Sequence, residues 1–232
     1  MKRKIVLGLV VTVIGLSQMA LASVGMNVTY VSNYIWRGFD NLGSGSYNGS
    51  AAIQPGISVP VGETGVSVSL WGNYALNSPA GFYELDAIVD YSSTLQTGLD
   101  YSLGYTYYTF PTPGGVAYAT SGELYAGLTW ADFLYSPKLT VYYDHVTTGG
   151  NGLYANLSGG TEIIGIATSL GVGYNAGQWG ATPGVSDISV GLTKTYGFVT
   201  SSINYVYVPS SAGINAETSE IWFGLNIEGE VL

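Results

Sequence analysis

The chain has no cysteine among its 232 residues, so neither a disulfide framework nor a thiolate metal site is open to it. Charge is scarce: Asp, Glu, Lys and Arg make up 9% of the residues, well under the ~25% usual for soluble domains. Basic residues are scarcer still. Three of the six, Lys2, Arg3 and Lys4, stand at the extreme N-terminus, and only Arg37, Lys138 and Lys194 follow. There is one histidine, His145. Beyond residue 22 no run approaches the ~18 to 20 apolar residues of a membrane helix. These absences leave few ways to build a protein that is 47% hydrophobic and carries 34 glycines and 20 tyrosines. A closed β-barrel is one, because it pairs every backbone N–H and C=O between strands and needs no apolar helix to cross lipid.

The N-terminus reads as a secretory signal peptide over residues 1–22. A basic start precedes an apolar run, Ile5 to Leu16, and Ala20-Leu21-Ala22 gives the small-x-small pattern of a cleavage site. Residues 23–232 then form the mature domain. It keeps three basic residues against all fifteen acids, a formal −12. Nucleic acid is excluded as a partner, since phosphate binding needs a basic footprint.

The mature chain alternates with a period of two. Val66, Val68, Leu70 and Tyr74 interleave with Ser67, Ser69, Trp71 and Asn73, and Leu99 to Tyr107 interleave with Asp100 to Tyr108. Successive strand side chains point to opposite faces, so each segment has one apolar face and one polar or small one. Twelve such segments are expected: 24–39, 47–59, 65–76, 82–95, 98–110, 120–131, 137–146, 152–163, 166–176, 185–195, 197–208 and 217–227. In the eighth, Gly159-Gly160 marks a bulge or bend. Short connections alternate with longer Gly-, Pro-, Ser- and Asn-rich ones, as periplasmic turns alternate with outer loops. The expected fold is all-β, a closed antiparallel up-and-down transmembrane barrel of about twelve strands. An exported β-sandwich has the same period with the faces reversed. Low charge and an even strand number favour the barrel.

In the barrel, the apolar parity meets outer-membrane lipid: Leu85, Ala87, Val89 and Tyr91; Leu124, Ala126, Leu128 and Trp130; Ile188, Val190 and Leu192; Ile221, Phe223, Leu225 and Ile227. Tyr34, Trp36, Tyr107, Tyr207 and Phe223 form an expected outer aromatic girdle, and Tyr91, Tyr101 and Trp130 an inner one. The opposite parity carries the charge into the lumen: Glu84, Asp86, Asp90, Asp100, Glu123, Asp144, Asp187 and Glu220, with Arg37 and Lys138. A midplane charge facing lipid costs roughly 2–4 kcal/mol, so inward placement is enforced. Lys194 breaks the parity and is expected to snorkel at a turn.

The run Tyr30-Val31-Ser32-Asn33-Tyr34-Ile35-Trp36-Arg37-Gly38 resembles the opening Ser-x-Tyr-x-x-Arg-Gly signature of the TorF family of putative porins. Ala52 to Gly56, Glu84-Leu85-Asp86, Asp100 to Pro111, Glu123 to Leu128 and Ser136-Pro137-Lys138 with Tyr142-Tyr143 are similar in order to later strands of that family. Phe39-Asp40-Asn41 and the final Leu232 depart from its pattern. The resemblance implies a porin-like barrel, with Ser32, Tyr34, Arg37 and Gly38 as the motif residues.

Function follows as porin-like passage of small solutes or ions through an acidic, cation-preferring lumen, without catalysis. The lumen and constriction candidates are Arg37, Glu84, Asp86, Asp90, Asp100, Glu123, Lys138, Asp144 and Glu220. An Arg37–Glu220 contact is expected across the closing seam, with Glu84 or Asp86 near it. The alternatives are a closed structural or surface-binding barrel, its loops offering Tyr118 and Trp179, and a hydrolase built on His145 beside Asp144. Adjacent strand residues face opposite ways, which argues against that last pair. No cofactor or metal motif stands out, and Gly43 to Gly49 lacks the lysine and helix of a phosphate loop.

Overall fold

A computed structural model describes residues 23–41, 51–76, 83–95, 98–111, 120–145, 152–178, 181–209 and 218–231. Residues 1–22, expected to form a signal peptide, together with Glu217, Tyr118, Trp179 and the run 43–49, lie outside the described residues. Among the described residues fourteen strands follow in order: β1 (Val24–Val31), β2 (Ile35–Trp36), β3 (Phe39–Asp40), β4 (Ala52–Pro60), β5 (Val66–Ala75), β6 (Tyr83–Thr94), β7 (Leu99–Thr109), β8 (Ser121–Trp130), β9 (Lys138–Asp144), β10 (Gly152–Ile163), β11 (Ile166–Ala176), β12 (Gly184–Tyr196), β13 (Val199–Val208) and β14 (Thr218–Val231). Twelve of them close into one antiparallel barrel, and β2 and β3 form a separate two-stranded hairpin. β1 closes the wall, pairing with β4 on one side and β14 on the other, with Val28 opposite Pro55 and Ile227.

The apolar parity faces outward. Leu85, Val89, Leu124, Val190, Leu192, Ile221, Phe223, Leu225 and Ile227 are all exposed. The carboxylates of the other parity are buried within: Glu84, Asp86, Glu123, Asp144 and Asp187. A sandwich would reverse this, so the arrangement excludes it. Lys194 lies with the outward set, and its ammonium reaches the carbonyl of Gly165 at the β10–β11 turn.

Gly159-Gly160 does not break β10, which runs in register with β11 from Tyr154 opposite Asn175 to Ile163 opposite Ile166. The glycines make room instead. The Gly160 N–H donates to the Tyr135 carbonyl at 2.8 Å, and a Cβ on Gly159 would stand 2.8 Å from that same oxygen. The irregularity falls across β11 and β12. Gly173 pairs with Asp187 and Tyr174 with Val185, so Ser186 is bulged.

The largest departure is at the start of the barrel. The first strand was expected to reach Phe39, but it ends at Val31. Ser32 ends it by binding Phe223 twice: its N–H donates to the Phe223 carbonyl at 2.9 Å, and its hydroxyl accepts the Phe223 N–H at 2.9 Å. A side chain has taken the place of the next backbone acceptor, and the chain leaves the wall for the lumen. There β2 and β3 pair around Arg37-Gly38, both at positive φ (52° and 82°), the pattern of a two-residue type I′ turn. Tyr34 and Trp36 therefore sit inside and do not belong to an outer girdle.

Candidate functional site

The hairpin carries the motif residues into the half of the lumen away from the chain termini, here called the loop end. Its tip is Arg37. The guanidinium makes a two-point bond to Glu123 on β8, Nη1 to Oε1 at 2.7 Å and Nη2 to Oε2 at 2.9 Å. Nη1 also donates to Gln178 Oε1 at 2.8 Å, and the Gln178 amide in turn donates to Glu123. Tyr108 donates its hydroxyl to Glu123 Oε2 at 2.6 Å. The cation lies over three rings, Tyr142 at 4.0 Å, Trp36 at 4.3 Å and Tyr154 at 4.6 Å. Both ends of the ion pair are buried, with side-chain exposures of 8% and 1%.

This geometry suits arginine and not lysine. A planar fork matches a carboxylate at two points and stacks on aromatic faces, while an ammonium is a single point. Burying an ion pair yields little net stability, but removing one member strands the other and costs roughly 3–5 kcal/mol. The tip also holds a non-glycine residue in the left-handed region, which costs about 1–2 kcal/mol. Gly38 follows at φ 82°, and a Cβ there would stand 3.0 Å from the Ser186 carbonyl and 3.2 Å from Asp187 Cβ. The β12 bulge thus seats the turn.

Tyr34 anchors the near side of the hairpin. Its hydroxyl donates to Glu84 at 3.0 Å, and its ring meets Trp71 at 5.9 Å beside Val31, Ala52 and Ala75. Ile35 packs against Val206 and Val208 on the opposite wall. Asp187 accepts from Ser186 at 2.7 Å and from Tyr154 at 3.2 Å, while Asp144 accepts from Ser121 at 2.8 Å. Three buried side-chain atoms have no hydrogen-bond partner among the described residues: Asp86 Oδ1, Asn73 Nδ2 and Asn175 Nδ2.

The expected site residues divide by height. Arg37, Glu84, Asp86, Glu123 and Asp144 come together in the loop-end half, with Ser32, Tyr34 and Gly38 placing the hairpin. The expected Arg37–Glu220 contact does not form. Because the chain turns inward at Ser32, Arg37 is carried across the lumen to Glu123, and Glu220 instead meets the amide of Asn33 at 3.5 Å. Asp90, Asp100 and Lys138 lie nearer the termini. Asp90 accepts from Tyr125 at 2.5 Å, Asp100 from Thr94 at 2.6 Å, and Lys138 is exposed. Four residues of the latch escaped the sequence reading: Gln178, Tyr108, Tyr142 and Tyr154. The tyrosines share inward parity with Asp100, Asp144 and Asn156, a signal that was present. Gln178 follows the end of β11 and gave none.

His145 and Asp144 turn opposite ways, as strand alternation requires. Asp144 is buried with Ser121, while His145 is exposed and its ring lies 5.7 Å from that of Tyr105.

Residues 18–223 match the model of a family described as a bacterial protein of unknown function, Gcw_chp. The chain belongs to this family. No curated protein matches it. Among solved structures, this Gcw_chp barrel is similar to the COG4313 outer membrane channel from Pseudomonas putida F1, at 10% identity over 92% of this chain and 97% of that one, with a TM-score of 0.52. It is also similar to the NanC porin (15% identity, 90% and 100% covered, TM-score 0.49) and to outer membrane phospholipase A from Escherichia coli (13%, 89% and 95%, 0.49). At 10% identity the likeness to the COG4313 channel speaks to the fold of the Gcw_chp chain, a closed β-barrel, and to nothing finer.

Proposed function

We propose that the protein is a porin-like outer-membrane channel for passive passage of small solutes, cation-preferring and without enzymatic activity, exported by residues 1–22. The reading rests on one observation: a closed barrel that exposes its aliphatic residues and turns its carboxylates inward. Its resemblance to TorF porins at Ser32, Tyr34, Arg37 and Gly38 supports the same reading, since those residues form the hairpin that narrows the lumen. Cation preference follows from the charge left over. Glu123 neutralises Arg37, whereas Asp90 and Asp100, with Glu228 on the inward parity of β14, face only Lys138 toward the termini. A lumen lined by one sign of charge concentrates counter-ions.

Reconstitution in planar bilayers under a salt gradient tests it. Discrete conductance steps with a cation-selective reversal potential are expected; anion preference would refute the charge argument. A second reading is a closed barrel whose hairpin is a permanent plug, and the buried latch at Arg37 favours it. Silence of the wild type, with no conductance gained when Arg37 is replaced, would decide for the plug. The exposed position of His145, away from the Ser121–Asp144 pair, weighs against hydrolysis.

A further inference from the structure

Beneath the hairpin, at mid-height in the barrel, lies a cavity of about 230 Å³. Ile35, Arg37 and Gly38 form its roof, and β10 to β14 form its wall. We propose that this cavity binds one neutral, polyhydroxylated solute of monosaccharide size.

Size comes first. The space equals that of about eight waters at ~30 Å³ each, and falls below the roughly 300–1,000 Å³ of sites for drug-sized ligands. The volume matches one small solute.

The lining fixes the chemistry. Ser169 and Ser189 offer hydroxyls with no protein partner among the described residues. Asn204 spends its amide on Ser202 at 3.0 Å and keeps its carbonyl oxygen for the cavity wall. Trp222 adds an aromatic face and an indole N–H. Hydroxyls, an amide oxygen and a flat apolar ring complement a ring of C–H and O–H groups.

Glycines keep the wall thin. A Cβ on Gly191 would stand 2.6 Å from Ser169 Oγ and 3.1 Å from Asn204 Oδ1, and one on Gly171 would stand 2.7 Å from Ser189 Oγ. Larger residues there would drive those polar atoms out of place.

The charges at the roof are already engaged. Arg37 is held by Glu123 and Gln178, and Asp187 by Ser186 and Tyr154. Glu123 meets the charge of Arg37, and the Asp187 oxygens already accept two hydroxyls, so the lining suits a neutral solute.

The inference rests on the channel reading for solute traffic, but binding is measurable without it. The full chain, refolded in detergent and shown folded by its heat-modifiable migration, is titrated calorimetrically at pH 6 with glucose, gluconate, protonated glucosamine and glycerol. Saturable glucose binding is expected, with the two charged analogues and glycerol weaker. Trp222→Leu should raise the glucose Kd about tenfold, a change of roughly 1.4 kcal/mol. Ser189→Ala and Asn204→Ser, which ask little of the fold, should each raise it several-fold. Absence of saturable glucose binding to the folded barrel overturns the site, as does tighter binding of gluconate or glucosamine. Conductance measured on the same preparation separates the two ideas. A conducting barrel that ignores glucose loses the site and keeps the channel, and a silent barrel that binds glucose does the reverse.

Discussion

The two halves of the lumen are built by the same twelve strands and end up opposite in character. In the loop-end half Ala52, Ser121, Glu123, Asp144, Asn175, Gln178, Ser186 and Val208 are all at or below 1% exposed. Toward the termini the inward positions are small and polar, such as Ser58, Ser69, Ser102, Ser158 and Ser202, and remain partly open. The difference is one hairpin. A barrel of this size is too wide for the wall side chains alone to fill as they do in eight-stranded barrels. Where β2 and β3 enter, they supply the missing volume and the missing cation. Where they do not, the wall is lined and left unfilled. Filling a lumen with charged and aromatic groups therefore takes chain, and here the chain comes from what reads as an extension of the first strand.

Breaking the latch should affect the loop-end half most. Arg37→Ala leaves Glu123 buried without its cation and should cost roughly 3–5 kcal/mol in urea unfolding from vesicles. The same variant should conduct more than the wild type in planar bilayers, because the hairpin loses its anchor. Arg37→Lys should recover little of either property, for want of the second hydrogen bond and the stack. Paired removal sharpens the comparison. Arg37→Met with Glu123→Gln should be less destabilised than Arg37→Ala alone, because no charge is stranded; additivity in a double-mutant cycle would show that the two groups do not interact.

The turn comes next in size. Gly38→Ala puts a Cβ into a left-handed position already 3.0 Å from the Ser186 carbonyl, so strain and contact add. A loss of about 1–3 kcal/mol is expected, again by urea unfolding. Gly62, in the β4–β5 turn near the termini, has φ 55° and nothing within 4 Å of its missing Cβ. Gly62→Ala should cost only about 1–2 kcal/mol, the backbone part alone. A Gly38 variant no worse than the Gly62 one would mean that the hairpin does not press on the β12 bulge.

How much of this was legible follows the same division. The wall was readable because an apolar outer face and a polar lumen impose a period of two on every strand, and β10 and β11 fall where that period puts them. The hairpin obeys the same period, with Tyr34 and Trp36 on one parity, so alternation could not tell wall from plug. The distinguishing signal was chemical. Arg37-Gly38 between alternating hydrophobics is a two-residue hairpin turn, and the sole arginine beyond Arg3 asks for a buried partner. The partner itself was out of reach: Glu123 lies 86 positions away, and no local pattern encodes which inward carboxylate a lumen hairpin will meet.

The smallest effect on stability is expected near the termini, where the effect on selectivity should be clearest. Asp100 is bound by Thr94 at 2.6 Å in an exposed setting, so Asp100→Asn should change stability by no more than about 0.5 kcal/mol. Its charge nevertheless faces the open half of the lumen. Removing it should move the reversal potential toward zero under a salt gradient, and Asp90→Asn should do the same. The loop-end carboxylates behave differently under the same test. Glu84 is held by Tyr34 and closed off from the aqueous path, so Glu84→Gln should leave selectivity where it was. If Glu84→Gln shifted the reversal potential as far as Asp100→Asn, ions would be passing through the half that the hairpin fills, and the contrast between the two halves would have to be abandoned.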